Sequence, residues 1–169
     1  GMGRIPEDRH EGVVGDLTVY ENLALEYLDE YTNKGFLDRK RIQTNAETLI
    51  EQFQIKAKPT DRIRTLSGGN MQKVLLARVL SRQPKVVIAP QPTRGLDVGA
   101  TEYVRKQLIE QRNRGAAVLL ISEDLEEILS ISDRIAVIYE GEIVGVMSTK
   151  DATPEKLGLL MSGALKEEA

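Results

Sequence analysis

The segment that decides how this chain is interpreted is Leu66-Ser67-Gly68-Gly69-Asn70-Met71-Gln72-Lys73. A serine before an apolar helical pattern is a good N-cap, and Pro84 predicts that this helix ends near Arg82. Two glycines let a ligand approach the backbone, and the first N–H groups of a helix attract anions. The segment therefore indicates a phosphate site, although a plain serine cap after a glycine turn is the simpler interpretation of Ser-Gly-Gly alone.

The residues before this segment are predicted to be mainly helical. Thr18 and Glu21 have the spacing of a capping box, which starts one helix. A second helix is predicted from Asp38, because apolar residues recur on one of its faces. These residues are Ile42, Ala46, Leu49, Ile50 and Phe53. Turn-forming residues at 58–61 end this helical region.

The residues after the segment alternate between strands and helices. Short apolar runs predict strands at 85–89, 116–121, 134–139 and 142–146, the last two joined by a tight turn at 140–141. Helices are predicted at 99–115, at 124–130 and from Thr153, which can cap a helix with Pro154 in its first turn. This alternation indicates an α/β fold with a mostly parallel sheet.

The composition excludes several classes of function. The 169 residues include no cysteine and one histidine, His10, so disulfide, thiolate and histidine-rich metal sites are excluded. A net charge of -3 gives no reason to expect nucleic-acid binding. No apolar run approaches the ~18 residues of a membrane span and no signal peptide is visible, which predicts a cytoplasmic protein.

Further features follow residues 66–73 in a fixed order. An apolar strand at 86–89 is followed by Gln91-Pro92-Thr93, by Arg94-Gly95-Leu96-Asp97 and, after the next strand, by Ser122-Glu123-Asp124. With residues 66–70, this ordered set resembles the signature motif, Walker B strand, D-loop and switch loop of ABC ATPases. The resemblance extends from about residue 5 to residue 148.

Three stretches narrow the resemblance to a subfamily. Residues Ile5–Arg9, Thr18–Leu23 and Gln91–Ala100 look like the second ATPase module of importers for simple sugars and nucleosides. ATPases of that group are similar to two ABC modules fused in one chain. Gln91-Pro92-Thr93 without a preceding Asp-Glu favours the nucleoside, or basic-membrane-lipoprotein, branch.

The resemblance implies an α/β fold of the P-loop NTPase type, present here as a part of an ABC ATPase. Residues 1–82 would form the Q-loop region and a helical subdomain that ends in the signature helix. Residues 83–148 would form the C-terminal half of the mostly parallel core sheet and a terminal β-hairpin. Residues 149–169 would form a C-terminal helix and tail.

The resemblance also implies a binding site that works in trans. In ABC dimers each ATP lies between the P-loop of one module and the signature of the other. The residues expected to contact ATP held by a partner module are Leu66, Ser67, Gly68, Gly69, Asn70 and Gln72. Asp97 would supply the D-loop carboxylate at the dimer interface, and it can also cap the helix that follows.

The chain departs from the family pattern at the catalytic positions. It contains no Gly-Lys dipeptide and hence no P-loop. Truncation is expected, with a natural protein that lacks the P-loop as the alternative, and in either case this chain alone should not bind ATP tightly. The Walker B Asp-Glu positions are Pro90 and Gln91, and the switch-loop histidine position is Glu123. Glu7 stands near the Q-loop glutamine position. A glutamine cannot act as a general base, so this module's own site should hydrolyse slowly.

The expected function is therefore the ATPase component of a nucleoside or simple-sugar importer, on the inner face of the membrane. It would use ATP and Mg²⁺ in the intact protein, with no metal site built from this chain's own residues. Its partners would be another ABC ATPase module, a membrane permease and, indirectly, a solute-binding protein. A soluble ABC-type protein acting on DNA or ribosomes and a non-catalytic regulatory module remain alternatives. Exposed sheet edges would predict self-association.

Overall fold

The structure, a computed structural model, describes residues 1–33 and 35–165. It divides into two compact units, residues 1–121 and a second unit that begins at Ser122. The predicted tail at 166–169 lies outside the described residues. The division into segments at 82 and 148 stays a prediction.

Most predicted elements are present. The helices are α1 Val19–Ala24, α2 Arg39–Gln52, α3 Gly68–Leu80, α4 Val98–Asn113, α5 Leu125–Ile131 and α6 Pro154–Met161. The strands are β1 Met2–Arg4, β2 Thr32–Asn33, β3 Phe36–Leu37, β4 Val86–Pro90, β5 Ala117–Ile121, β6 Arg134–Tyr139 and β7 Glu142–Ser148. Short 3₁₀ helices span Leu25–Tyr31, Ile63–Thr65 and Thr149–Asp151.

The sheet of the first unit is parallel, as predicted, with strand order β1-β4-β5. Its edge strand β1 was not predicted, because three residues are too few to show a strand pattern. For the same reason, the pair β2 and β3 was not foreseen within the region predicted to be helical. The carboxyl ends of β1 and β4 lie side by side, so the segments that follow them emerge together.

Helix α3 is the centre of the first unit. Its residues from Val74 to Leu80 are all buried, and it contacts α1, α2, α4 and β1. Helix α2 contributes the apolar face predicted for it, with Ile42, Ala46 and Leu49 buried. A helix buried on nearly all sides has little freedom to shift, so its first turn is a rigid platform.

The second unit is an antiparallel hairpin of β6 and β7 covered by α6. Its core joins apolar residues of the two strands to Leu157 and Leu160 of the helix. Gly145 permits this packing, because a Cβ placed there would lie 3.1 Å from Leu160 Cδ1. The predicted terminal hairpin is therefore confirmed, and β7 extends two residues beyond its predicted end.

Several large apolar side chains stay exposed. In the first unit they include Leu119 and Ile121 on edge strand β5, and in the second unit they include Ile138 and Ile143 on the hairpin. The predicted self-association stays a prediction. Among the described residues, no helix combines the length and apolarity that crossing a bilayer requires.

Asn22 of α1 is expected to be a major polar contributor to stability. It is fully buried; its Oδ1 accepts from Val14 N at 2.9 Å, and its Nδ2 donates to Val14 O and Thr18 O, each at 3.0 Å. Asn22→Leu should lower the free energy of unfolding by about 2–4 kcal/mol, because the Val14 amide loses its partners. Denaturant titration measures this, with the exposed Gln43→Leu as the control. A loss equal to that of the control would contradict the prediction.

The capping box of α1 is expected to make stability depend on pH. Hydrogen bonds from the Thr18 hydroxyl and Thr18 N–H lower the pKa of Glu21 below its ordinary 4.5. A lowered folded-state pKa stabilises the fold above the unfolded value and loses that contribution as pH falls through the folded value. The difference in unfolding free energy between wild type and Glu21→Gln should therefore be constant above about pH 5 and shrink below it. A pH-independent difference would refute this assignment.

Candidate functional site

Ser67 caps the N-terminus of α3, as its sequence position predicted. Its Oγ accepts hydrogen bonds from the Asn70 backbone N–H at 3.4 Å and from Asn70 Nδ2 at 3.0 Å. Asn70 is held in turn, because its Oδ1 accepts from Lys56 N at 2.8 Å. Two accepted bonds occupy the lone pairs of the exposed Ser67 hydroxyl, so its proton is directed to an acceptor outside this network.

The two glycines of the signature segment, residues 66–70, lie in close packing. Neither glycine has a positive φ, so their backbone conformation is open to other residues. A Cβ on Gly68 would lie 3.2 Å from Arg9 Nε, and a Cβ on Gly69 would lie 3.1 Å from the Ala100 Cβ of α4. The N–H groups of the first helical turn have no intrahelical partner, so this bare backbone can bind an anion.

The D-loop turn, residues 93–97, lies against the signature segment. Gly95 has a φ of +67°, which favours glycine, and Leu96 N donates to Thr93 O at 3.1 Å. Asp97 caps α4, since its Oδ1 accepts from Ala100 N at 2.9 Å. The capping role predicted for Asp97 is confirmed, and its D-loop role at a dimer interface stays a prediction.

Gln72 differs from the other residues predicted to contact ATP. It is 3% exposed, and its Nε2 donates to the Pro92 carbonyl at 2.9 Å. This bond fixes α3 against the loop that follows β4. The position of Gln72 therefore favours a role in holding the loop, which no local sequence pattern indicates because Gln72 and Pro92 are 20 residues apart.

Pro90 is the last residue of β4 and Gln91 follows it, where the family resemblance predicts the Walker B carboxylate positions. Gln91 has a φ of +46°, and its N–H donates to Ile121 O at 2.7 Å. Proline offers an apolar ring and glutamine a neutral amide, so these residues do not fit a Mg²⁺ site, which takes carboxylate ligands. Within 1–33 and 35–165, no three His, Cys, Asp or Glu side chains are grouped to hold a metal.

Glu123 lies in the second unit, in the turn before α5. Its neighbour Asp124 caps that helix through bonds from Glu126 N at 2.9 Å and Glu127 N at 3.3 Å. Glu123 itself is exposed. The predicted correspondence of Glu123 to the switch-loop histidine stays a prediction. An ionised carboxylate only accepts hydrogen bonds, so Glu123 cannot donate one as a histidine can.

The N-terminal segment, residues 5–12, follows β1 and contacts the D-loop turn. Glu7 Oε1 lies 3.7 Å from Arg94 Nη1, and both side chains are exposed, so this ion pair adds little stability. Arg9 makes the stronger link, with Nη1 donating to Arg94 O at 2.8 Å and Nη2 to Gly95 O at 3.3 Å. Arg9 belongs to the stretch Ile5–Arg9 that carries the family resemblance, and the sequence pattern predicts no role for it.

Two further side chains hold the end of α2 behind the signature segment. Lys73 Nζ donates to Gln54 O at 3.0 Å and lies 4.3 Å from the centre of the Tyr103 ring. Tyr103 Oη donates to Phe53 O at 2.8 Å. Burial raises the pKa of Tyr103 to about 12 and lowers the pKa of Lys73. Tyr103 therefore keeps its proton and its hydrogen bond at all physiological pH values.

The chain is similar in sequence to known proteins. The family model described as "ABC transporter" matches residues 1–94. The chain is 48% identical to the nucleoside import ATP-binding protein NupA of Lactococcus lactis subsp. cremoris, over 96% of this chain and 33% of that protein. It is 47% identical to the guanosine import ATP-binding protein NupO of Bacillus subtilis, over 100% of this chain and 34% of that protein.

The chain also resembles a third relative in sequence and a solved structure in fold. The chain is 44% identical to the glucose import ATP-binding protein TsgD13 of Haloferax volcanii, over 96% of this chain and 31% of that protein. Its fold matches a dimeric structure of the ATP-binding cassette MJ0796 bound to ADP and Pi, with a TM-score of 0.71, 23% identity, and coverage of 88% of this chain and 62% of that one. The chain thus spans about a third of the length of these curated relatives. It belongs to the ABC transporter family of ATP-binding proteins.

Proposed function

We propose that this chain is the signature-bearing part of the ATP-binding component of an importer for nucleosides or simple sugars. The family membership and the import functions named for NupA, NupO and TsgD13 support this proposal. Nucleosides are the favoured solute class, because the Gln91-Pro92-Thr93 stretch resembles that branch. The observation that carries the proposal is the geometry of Ser67.

The residues around Ser67 suit an anion held by another module. The Ser67 hydroxyl accepts from Asn70 and so has its proton available for a phosphate oxygen. The N–H groups of Gly68 and Gly69 stand at the positive end of α3 and add donors without a side chain in the way. ATP bound to the partner's P-loop supplies the bond that is hydrolysed. This chain's residues bind and orient its terminal phosphate, and they stabilise charge that develops there.

The module's own nucleotide site at the end of β4, here called the home site, is proposed to hydrolyse ATP slowly. A general base contributes roughly 10²–10⁴-fold to rate, and the neutral amide of Gln91 cannot accept the proton of an attacking water. Pro90 presents no ligand for a metal ion. No step is assigned to Mg²⁺ at this strand end, because the residues present do not fit it.

Transmission to a permease is proposed to involve the helical region. A polar pocket of about 320 Å³ lies among the 3₁₀ helix Leu25–Tyr31, α2 and the end of α3. Its walls carry two arginines stacked on tyrosines, with Arg82 4.0 Å from the Tyr27 ring centre and Arg41 5.6 Å from that of Tyr31. Rigid aromatic and guanidinium groups of this kind are common anchors at protein interfaces. The solute-binding protein would act through the permease, on the other side of the membrane.

Replacing Ser67 tests the proposed phosphate contact. In the protein that contains this chain, assembled with its partner module, Ser67→Ala should lower kcat for ATP hydrolysis about 10²-fold, as expected for losing one donor to developing charge. Ser67→Asp is the matched variant, because aspartate keeps the helix cap while placing a negative charge at the phosphate. It should be at least as slow as Ser67→Ala, with a melting temperature close to wild type. Hydrolysis within twofold of wild type in both variants would exclude the contact.

Replacing Gln91 tests whether the home site contributes to ATP hydrolysis. Gln91→Gly removes the amide, and glycine fits the left-handed backbone at this position. The steady-state ATPase rate should stay within about twofold of wild type, since a residue that performs no base chemistry can be lost without cost to the chemical step. A large loss of turnover, in a variant with an unchanged circular dichroism spectrum, would show that the home site carries hydrolysis.

A further inference from the structure

Arg9 lies where three separate segments of the first unit meet. β1 and β4 are parallel neighbours, so the N-terminal segment and the D-loop turn leave the same edge of the sheet. The signature segment, at the start of α3, also lies close to Arg9. Arg9 is the described side chain whose guanidinium reaches both the D-loop turn and the signature backbone.

The guanidinium fixes two neighbouring carbonyl groups of the D-loop turn. Nη1 donates to Arg94 O at 2.8 Å and Nη2 donates to Gly95 O at 3.3 Å. A planar fork holds two acceptors in one orientation, which the single ammonium group of lysine does not do. These carbonyls come directly before Leu96 and Asp97, so the bonds also fix the path of the chain into α4.

The same guanidinium packs against glycine on both sides. A Cβ on Gly68 would lie 3.2 Å from Arg9 Nε, and a Cβ on Gly95 would lie 3.3 Å from Arg9 Nη2. At Gly95 the positive φ gives glycine a second reason. At Gly68 the φ is not positive. The nearby Arg9 side chain is therefore the steric reason that favours glycine at this position.

We propose that Arg9 is a positioning residue that sets the separation between the signature segment and the D-loop turn. It thereby fixes where Ser67 and Asp97 stand toward a nucleotide held by the partner module, and in this it rests on the proposed function. Its positive charge also stands beside the signature amides. The proposal has a structural part, the contact of Arg9 with Gly68, and a functional part, the placement of Ser67.

The structural part is tested by thermal unfolding of this chain. The change in melting temperature caused by Gly68→Ala should be less favourable in wild type than in an Arg9→Ala background, by roughly 2–4 °C, because the crowding guanidinium atoms are gone in the second. The intrinsic helix preference of alanine acts equally in both backgrounds and cancels in this comparison. Equal changes in both backgrounds would show that Arg9 does not restrict residue 68, and would overturn the positioning role.

The functional part is tested by ATP hydrolysis in the assembled protein. Arg9→Ala should lower kcat/KM roughly 10-fold or more, and Arg9→Lys should recover less than half of that loss on a logarithmic scale. In a Ser67→Ala background, Arg9→Ala should have little further effect, because the group that it positions is absent. Arg39→Ala, on an exposed arginine at the start of α2, should match wild type. A merely structural arginine would give losses that multiply with that of Ser67→Ala.

The two proposals fail in different ways. If Ser67→Ala slows hydrolysis and Arg9→Ala does not, the positioning role is wrong and the signature function stands. If Arg9→Lys has the same kcat/KM for ATP hydrolysis as wild type, a positive charge is sufficient and the planar guanidinium has no positioning role. If Ser67→Ala leaves hydrolysis unchanged, the proposed function fails, and the melting temperatures of the Arg9 and Gly68 variants still decide whether the structural contact exists.

Discussion

Helix α3 is buried on almost every side, and Arg9 and Ala100 of α4 lie close to Gly68 and Gly69 in its first turn. This close approach is the constraint on which the rest of the site depends. A Cβ on Gly68 would lie 3.2 Å from Arg9 and a Cβ on Gly69 would lie 3.1 Å from Ala100, so glycine lets these neighbours pack closely against the first turn. Ser67 is held beside the same contacts, since it caps the helix. A phosphate site made from backbone groups needs this kind of external support.

Polar side chains extend the constraint from α3 to the surrounding loops. Asn70 binds the backbone of Lys56, and Gln72 binds the carbonyl of Pro92. Lys73 binds the carbonyl of Gln54 at the end of α2. Each bond satisfies a loop backbone group that has no partner in a helix or sheet. The signature helix therefore holds two loops, the one after α2 and the one after β4, as well as presenting its own N-terminus, and changes along it should affect loops distant in sequence.

The backbone at the end of β4 and its side-chain chemistry are independent features. Gln91 N–H bonds to Ile121 O, and the turn that follows ends in the helix cap made by Asp97. A chain path suited to presenting catalytic groups is therefore kept, while Pro90 and Gln91 provide neither a metal ligand nor a base. A fold is maintained by backbone bonds and apolar packing, so it places no demand on which side chains stand at a strand end. The proposed loss of chemistry at this strand end is thus compatible with the proposed phosphate contact at Ser67.

The local elements and the cap residues can be recognised in the amino-acid sequence. The Thr18 and Glu21 capping box, the Ser67 and Asp97 caps, and the apolar face of α2 depend on residues within one helical turn of each other or on one period, so they can be recognised from spacing. The folded chain adds that β1 joins the sheet, that Gln72 is turned inward to Pro92, and that Arg9 lies between Gly68 and Gly95. Those contacts join residues up to 86 positions apart, between Arg9 and Gly95. Arg9 reaches Gly95 because the parallel neighbours β1 and β4 bring their carboxyl ends together, and a linear pattern carries no record of which strands are neighbours.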